Sequence, residues 1–346
     1  MNAPLRLSLD TAALVANWQA LDRLSGSAAC GAAVKADGYG LGARGVVERL
    51  IQAGARDFFV ASWNEAAAIV NLVGEASIGL SVLHGVRAED MALGGQGFAR
   101  PVLNTIEQVQ RWRAAGGGAC DVMVDTGMNR LGVSPQDVAD GLLQGLTIDT
   151  LMSHLACADE DCAANAQQRS RMDALRGVTQ ARRMSLANSA GIALGPDYAY
   201  DLTRPGLALY GGVPRGELAP VLQQVVTPQA QILQRRVLAA GDSIGYNARY
   251  TATAPVEVAI LNIGYADGYW RGFTNAGRAR SGDAVLPVLG RVSMDLTAIS
   301  VDALATLAEG DWVTLDFALP EASALSGMSQ YELLTGLGSR FNRIWM

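Results

Sequence analysis

At 346 residues, half of them apolar, the chain exceeds one typical domain and holds ample material for a large core. Its 27 basic and 33 acidic side chains leave a net charge of −6 with no basic block, which argues against nucleic acid as a partner. No run of about 18 apolar residues suits a membrane span, and the opening MNAPLRLSLD lacks the apolar stretch of a secretory signal, so a cytoplasmic protein is expected.

The four cysteines, at 30, 120, 157 and 162, follow no zinc spacing and read as reduced thiols. His84 and His154 are the two histidines, so a multi-histidine metal site is excluded and no metal is expected.

In chain order, the alternating LRLSLD comes first; residues 1–9 are expected to pair with the later domain. After residue 25, short apolar or β-branched runs alternate with helical stretches. The runs are 31–35, 57–62, 78–83, 100–104, 120–125, 149–156, 183–187 and 203–210. Helices are expected over 42–53, 63–72, 105–115, 135–143 and 161–180. SWNEA and NTIEQ read as helix openings, with Ser62 or Asn104 placed before an acidic residue. Near-continuous strands joined by helices indicate a parallel sheet buried on both faces, and eight of them indicate a (β/α)8 barrel. An open doubly wound sheet is the alternative. Past residue 222, strands are separated by Gly, Asp and Pro turns without a long helix, the pattern of an antiparallel β domain. The expected fold is therefore α/β, a barrel over 10–222 followed by a mainly-β domain over 223–346.

Lys35 sits at the end of the first barrel run, in AAVKADGYGLGARG. Gly40, Gly42 and Gly45 match the dinucleotide fingerprint G-x-G-x-x-G, and Glu65 stands 20 residues beyond. That match is weak in a chain with 39 glycines. The other reading places Lys35 at the C-terminal end of a barrel strand, where barrel chemistry lies and where a lysine can form a Schiff base with an aldehyde cofactor. The loops after strands seven and eight, LANSAG and RPGLALYGG, offer free backbone N–H groups and the Ser189 hydroxyl, as a phosphate requires. Ordinary turns share that composition.

AAVKADGYGLG, VDTGMNRLG, SHLA, LANSAG, RPGLALYGG, GYNARYTA, GYADGY and GRVSMD, in that order, resemble the motif set of the alanine racemases across essentially the whole chain. The resemblance implies pyridoxal 5'-phosphate as cofactor, a barrel with a β domain, and a homodimer whose active sites are shared between subunits. It implies that Lys35 carries the cofactor and serves as one base, while Tyr246 of the second subunit serves as the other. Racemisation takes a proton from one face of a planar centre and returns one to the opposite face, so two groups are needed. His154 and Arg204 resemble the residues that support the tyrosine, as cationic or donor neighbours favouring phenolate. Arg204 is also implied to face the pyridine nitrogen. An arginine stays protonated and only donates, so that nitrogen stays bare, the electron sink is weak, and reprotonation at Cα is favoured. Tyr39, Ser189, Gly206 and Leu207 are implied phosphate contacts. Arg130 and Met294 are implied to hold the substrate carboxylate, with Tyr265 narrowing the access and Asp295 on the wall that the partner contributes.

Two positions depart from the family pattern. Many members carry a lysine, often carbamylated, seven residues before the arginine of DTGMNR; here Met123 stands there. Many carry a phosphate-binding tyrosine before a C-terminal arginine; here it is Ser339, before Arg340. The readings set against alanine racemisation are turnover of serine or another small amino acid, and a protein that binds the cofactor without catalysis.

Overall fold

The computed structural model describes residues 3–74 and 78–346 and divides the chain into two compact units, Leu14–Gln223 and Met1–Ala13 with Gln224–Met346.

The first unit is a parallel barrel. Seven strands pair in sequence order: Ala32–Ala33, Asp57–Val60, Gly79–Val82, Arg100–Leu103, Cys120–Met123, Ile148–Met152 and Arg183–Ser185. Leu202–Thr203 closes the ring. It pairs in parallel with Ala29–Cys30 on one side, and on the other Asp201 N–H donates to Met184 O and Arg204 N–H to Ala187 O. This closure rules out the open sheet. Phe58, Val60, Val82, Val102, Val122 and Met152 are fully buried, as expected of strands covered on both faces.

Helices Ala43–Ala53, Trp63–Val73, Ile106–Ala114, Pro135–Ala139 and Ala163–Asp173 follow their strands. Ser62 caps the second of these through Glu65 N–H, and Ser134 forms a reciprocal capping box with Asp137. The NTIEQ helix is capped by Thr105 rather than Asn104, because the Asn104 amide is buried and committed to Leu83 O and Val102 O. The helices expected over 135–143 and 161–180 are shorter than their sequence patterns. The run 203–210 is a strand only at Leu202–Thr203 and then tightens into a 3-10 turn at Leu207–Tyr210. Thr11–Leu24, a helix with no counterpart in the sequence reading, precedes the barrel. At the strand beginnings, Arg183 bridges Asp57 and Asp149 at 2.7 Å each, and Arg100 reaches Asp121 at 3.5 Å and Asp149 at 3.4 Å. These charges close the floor of the barrel, at the end away from Lys35.

The second unit is antiparallel. Val256–Leu261, Thr297–Ser300, Ala284–Leu289, Arg278–Ser281, Trp312–Leu315 and Val226–Leu238 form a closed ring. The strand Val226–Leu238 serves several neighbours because its register shifts between Ile232 and Gln234, a bulge that bends it. Leu5–Leu9 pairs antiparallel with this strand and parallel with Asn342–Trp345. Leu5, Leu7 and Leu9 are buried in period-two alternation with Arg6 and Ser8.

Candidate active site

Lys35, Arg130, His154, Ser189 and Arg204 all follow the C-terminal ends of barrel strands, the face on which barrel enzymes place their chemistry. Lys35 begins a turn, Lys35–Tyr39, in which Ala36, Asp37, Gly38 and Tyr39 take φ of 52°, 52°, 64° and 54°. Glycine is favoured at 38, where a Cβ would crowd Ala43 Cα at 3.1 Å and Val46 Cγ2 at 3.2 Å at a φ that side chains adopt only at a cost. Gly42, read in sequence as part of a dinucleotide fingerprint, precedes the helix Ala43–Ala53, whose first N–H is capped by Asp37 Oδ1 at 2.8 Å. The Lys35 amine is half-buried. Burial holds its pKa below the ordinary lysine value, the Arg130 charge adds to that, and Glu65 opposes it.

Arg204 is buried, and its guanidinium donates to Ser153 O at 2.5 Å and to Ser185 Oγ. Burial lowers its pKa to about 10, so it remains a cation at neutral pH. The sequence reading missed Ser153 and Ser185. A buried guanidinium demands acceptors, and the ends of neighbouring strands are the places to seek them.

His154 was expected as a cationic or donor neighbour. Burial, followed by the charges of Arg204, Arg130 and Lys35, pushes its pKa down to about 3. It is therefore a neutral imidazole, able to donate one hydrogen bond but not to supply charge.

Ser189, Gly206, Leu207 and Tyr39 converge. Ser189 Oγ accepts from Gly206 N–H at 2.8 Å and Ala208 N–H at 3.2 Å, which leaves the hydroxyl proton free to be donated elsewhere. Leu207 opens its 3-10 turn, so its N–H has no acceptor within that turn. Tyr39 is buried and stacks on Tyr210, which the sequence reading overlooked, with ring centroids 4.7 Å apart. A Cβ on Gly206 would lie 2.2 Å from Tyr39 Oη, so the backbone and the phenol approach each other more closely than any other residue allows.

Arg130 stands exposed on a loop whose stem is held by Asp125 N–H to Val133 O and Val133 N–H to Met123 O. Asp125 Oδ1 gathers the N–H groups of Gly127, Met128 and Asn129. Met123 is half-buried as the last residue of its strand. Three cationic side chains, Lys35, Arg130 and Arg204, thus surround a neutral histidine beside a cradle of N–H and O–H donors. Such a site suits a ligand that is anionic at two places. Among the described residues no group of acidic, cysteine and histidine side chains could hold a metal ion.

The second unit brings Tyr265 and Met294 together. Tyr265 N–H donates to Ser293 O and Ala266 N–H to Met294 O, each at 3.0 Å. Arg271 lies over the Tyr265 ring at 4.7 Å. Asp295 pairs with Arg340 at 2.7 Å, and Arg340 also forks onto the fully buried Asp267 at 2.6 and 2.8 Å. Ser339 is exposed. Tyr246, in a short turn at Tyr246–Ala248, is 69% exposed, and Met294 is 54% exposed.

Residues 9–214 match the family model for the N-terminal domain of alanine racemase, and residues 225–345 match that for its C-terminal domain. An alanine racemase of Acidiphilium cryptum is 40% identical over 99% of both chains. One of a Jannaschia species is 42% identical over 97% of both. The crystal structure of the Bartonella henselae alanine racemase with covalently bound pyridoxal phosphate superposes with a TM-score of 0.91, at 32% identity over 100% of both chains. The chain belongs to the alanine racemase family.

Proposed function

We propose that the protein interconverts L- and D-alanine with pyridoxal 5'-phosphate, by a two-base route shared between two copies of the chain. The observation that carries this reading is the convergence of Lys35, the buried Arg204 and the Ser189–Gly206–Leu207–Tyr39 cradle at one end of the barrel. The residues fit the cofactor. Ser189, whose hydroxyl oxygen is held by the Gly206 N–H, would hold its phosphate together with Tyr39 and the Leu207 N–H, Arg204 its ring nitrogen, and Lys35 its aldehyde carbon. When bound, the cofactor supplies an electron sink that makes the amino acid's α-proton acidic.

In this reading residues 10–222 form the cofactor domain and 223–346 supply the second base. Arg130 and the Met294 backbone hold the substrate carboxylate. Tyr265 and Asp295 line the way in. Lys35 Nζ moves the proton on one face of Cα, and its lowered basicity keeps more of the amine neutral than an exposed lysine would. Tyr246 Oη of a second copy serves the opposite face; its exposure on the β domain leaves it free to reach one. Neutral His154 donates a hydrogen bond towards the phenol, and Arg204 contributes the only permanent charge of that pair.

The product would supply D-alanine for peptidoglycan in the cytoplasm; among the described residues no helix is long and apolar enough to cross a membrane. The catalytic reading is favoured over simple cofactor binding because the chain carries Tyr246 and a β domain to present it. Circular dichroism of L-alanine incubated with the protein and cofactor tests the proposal: the signal decays to zero if it holds and persists if it fails. Running L-serine beside it decides the substrate.

A further inference from the structure

Glu65 has no part in the roles above, yet its carboxylate joins the lysine turn to the neighbouring strand. One oxygen accepts from Ala36 N–H at 2.9 Å and the other from Ala61 N–H at 2.7 Å. Glu65 occupies the third position of the helix Trp63–Val73, whose cap is Ser62. In a reciprocal capping box the carboxylate returns to the N–H of the cap residue itself, as Asp137 does to Ser134. Glu65 instead reaches one residue further back, to Ala61, which leaves its second oxygen for the residue after Lys35.

That residue needs a partner. Ala36 and Asp37 are non-glycine residues in the left-handed region, a conformation that Cβ-bearing residues adopt only at a cost. Such a turn persists only where its surroundings over-determine it. Asp37 fastens the far side through Ala43 N–H at 2.8 Å and Gly42 N–H to Asp37 O at 2.9 Å. On the near side, the backbone entering the turn is held by Val34 N–H to Phe59 O at 2.8 Å. Glu65 is the side chain that clasps the N–H immediately after Lys35.

We propose that Glu65 is the positioning residue for Lys35: its carboxylate, held by Ala61, fixes the left-handed turn that aims the amine across the barrel mouth and places a negative charge beside it. The proposal rests on the reading of Lys35 as the reactive lysine. The charge also offsets part of the lowering that burial and Arg130 impose on the amine. Glu65 thereby acts on Lys35 in two ways, through backbone direction and through electrostatics.

The test uses Glu65→Gln, which keeps size and shape while removing the charge and one acceptor oxygen. In the cofactor-free protein, the pH dependence of Lys35 modification by an amine-reactive reagent, read by peptide mass, reports the basicity of the amine. Its midpoint is expected to fall by about half a pH unit or more. In the reconstituted enzyme kcat for L-alanine is expected to fall about 10- to 100-fold, with KM changed less than about twofold. Glu65→Asp, which keeps the charge, is expected to hold a midpoint above that of Glu65→Gln, and it carries the test should Glu65→Gln not fold. An unchanged midpoint in Glu65→Gln together with an unchanged kcat overturns the proposal. So does a variant that only melts earlier, with the Lys35 midpoint intact. A wild-type protein that does not racemise alanine would fail the functional reading separately, since the midpoint is measured without cofactor or substrate.

Discussion

Arg204 donates to the backbone carbonyl of Ser153 at 2.5 Å, and Ser153 is the residue directly before His154. The arginine is thus anchored to the peptide that carries the histidine. Its charge is the largest lowering influence on His154 after burial itself. The pair is a fixed cation beside an imidazole that is neutral at physiological pH.

His154 should therefore not titrate across the physiological range. Its folded pKa of about 3 lies below the ordinary 6.5. Above pH 6.5 both folded and unfolded chains hold it neutral, and it adds no pH dependence. Below 6.5 the unfolded chain takes up the proton that the folded chain refuses, so stability is lost as pH falls from 6.5 towards 3. The urea midpoint of wild type is expected to drop between pH 7 and pH 4.5 by more than that of His154→Gln. Equal drops in the two proteins would show that the histidine protonates normally in the fold.

Gly206→Ala should damage the phosphate cradle selectively. The added Cβ would fall 2.2 Å from Tyr39 Oη, and Tyr39 is held by its stack on Tyr210. A cost of about 1–3 kcal/mol in stability is expected, with at least a tenfold loss of cofactor affinity. Gly216→Ala is the control, since a Cβ there meets nothing within 4 Å. Thermal melts and spectral titration with pyridoxal phosphate compare the two, and similar behaviour would refute the cradle.

Much of this was readable before any coordinates. Hydrophobic runs and helix caps such as Ser62 betray themselves locally, so the barrel strands fall close to where the runs begin. Lys35, Ser189 and Arg204 lie just past those runs, which puts them on one face of any parallel barrel. What could not be read depends on long-range contact. The apolar run 203–210 hides a 3-10 turn: the strand ends at Thr203, before Pro205, and the apolar residues from Leu207 to Tyr210 are buried in the turn rather than in the sheet. Glu65 resembles an ordinary helix-capping residue, and its second oxygen finds its partner 29 residues earlier in the chain. The neutrality of His154 follows from burial among three cations drawn from separate loops.

Met123 stands where the resemblance implies a lysine, often carbamylated, and a thioether takes up no carbon dioxide. Racemase activity is expected to be the same in carbon dioxide-free and bicarbonate-equilibrated buffer. Asn129, next to Arg130, does not take the carbamate's place: its N–H is spent on Asp125 at a φ of 56°, and no hydrogen bond joins its side chain to Arg130 among the described residues. Asn129→Ala is accordingly expected to leave KM for alanine within about twofold, unless it unravels the Asp125 turn. Bicarbonate dependence of wild type would mean that another amine plays the carbamate's part.

Tyr246→Phe should retain the cofactor's colour and lose racemisation. Solvent deuterium exchange at Cα should survive from the enantiomer whose proton faces Lys35 and fail from the other. Mass spectrometry of recovered L- and D-alanine reads this directly, and equal loss from both would remove the two-face assignment.

The most direct test of a site built by two copies is complementation. Lys35→Ala and Tyr246→Phe are each expected to be inactive. Mixed in equal amounts and allowed to exchange subunits, they should form hybrids with one intact site, restoring about a quarter of wild-type activity for a two-fold symmetric dimer. No recovery, in a mixture where mass spectrometry demonstrates the hybrid, would contradict the sharing of Lys35 and Tyr246 between subunits.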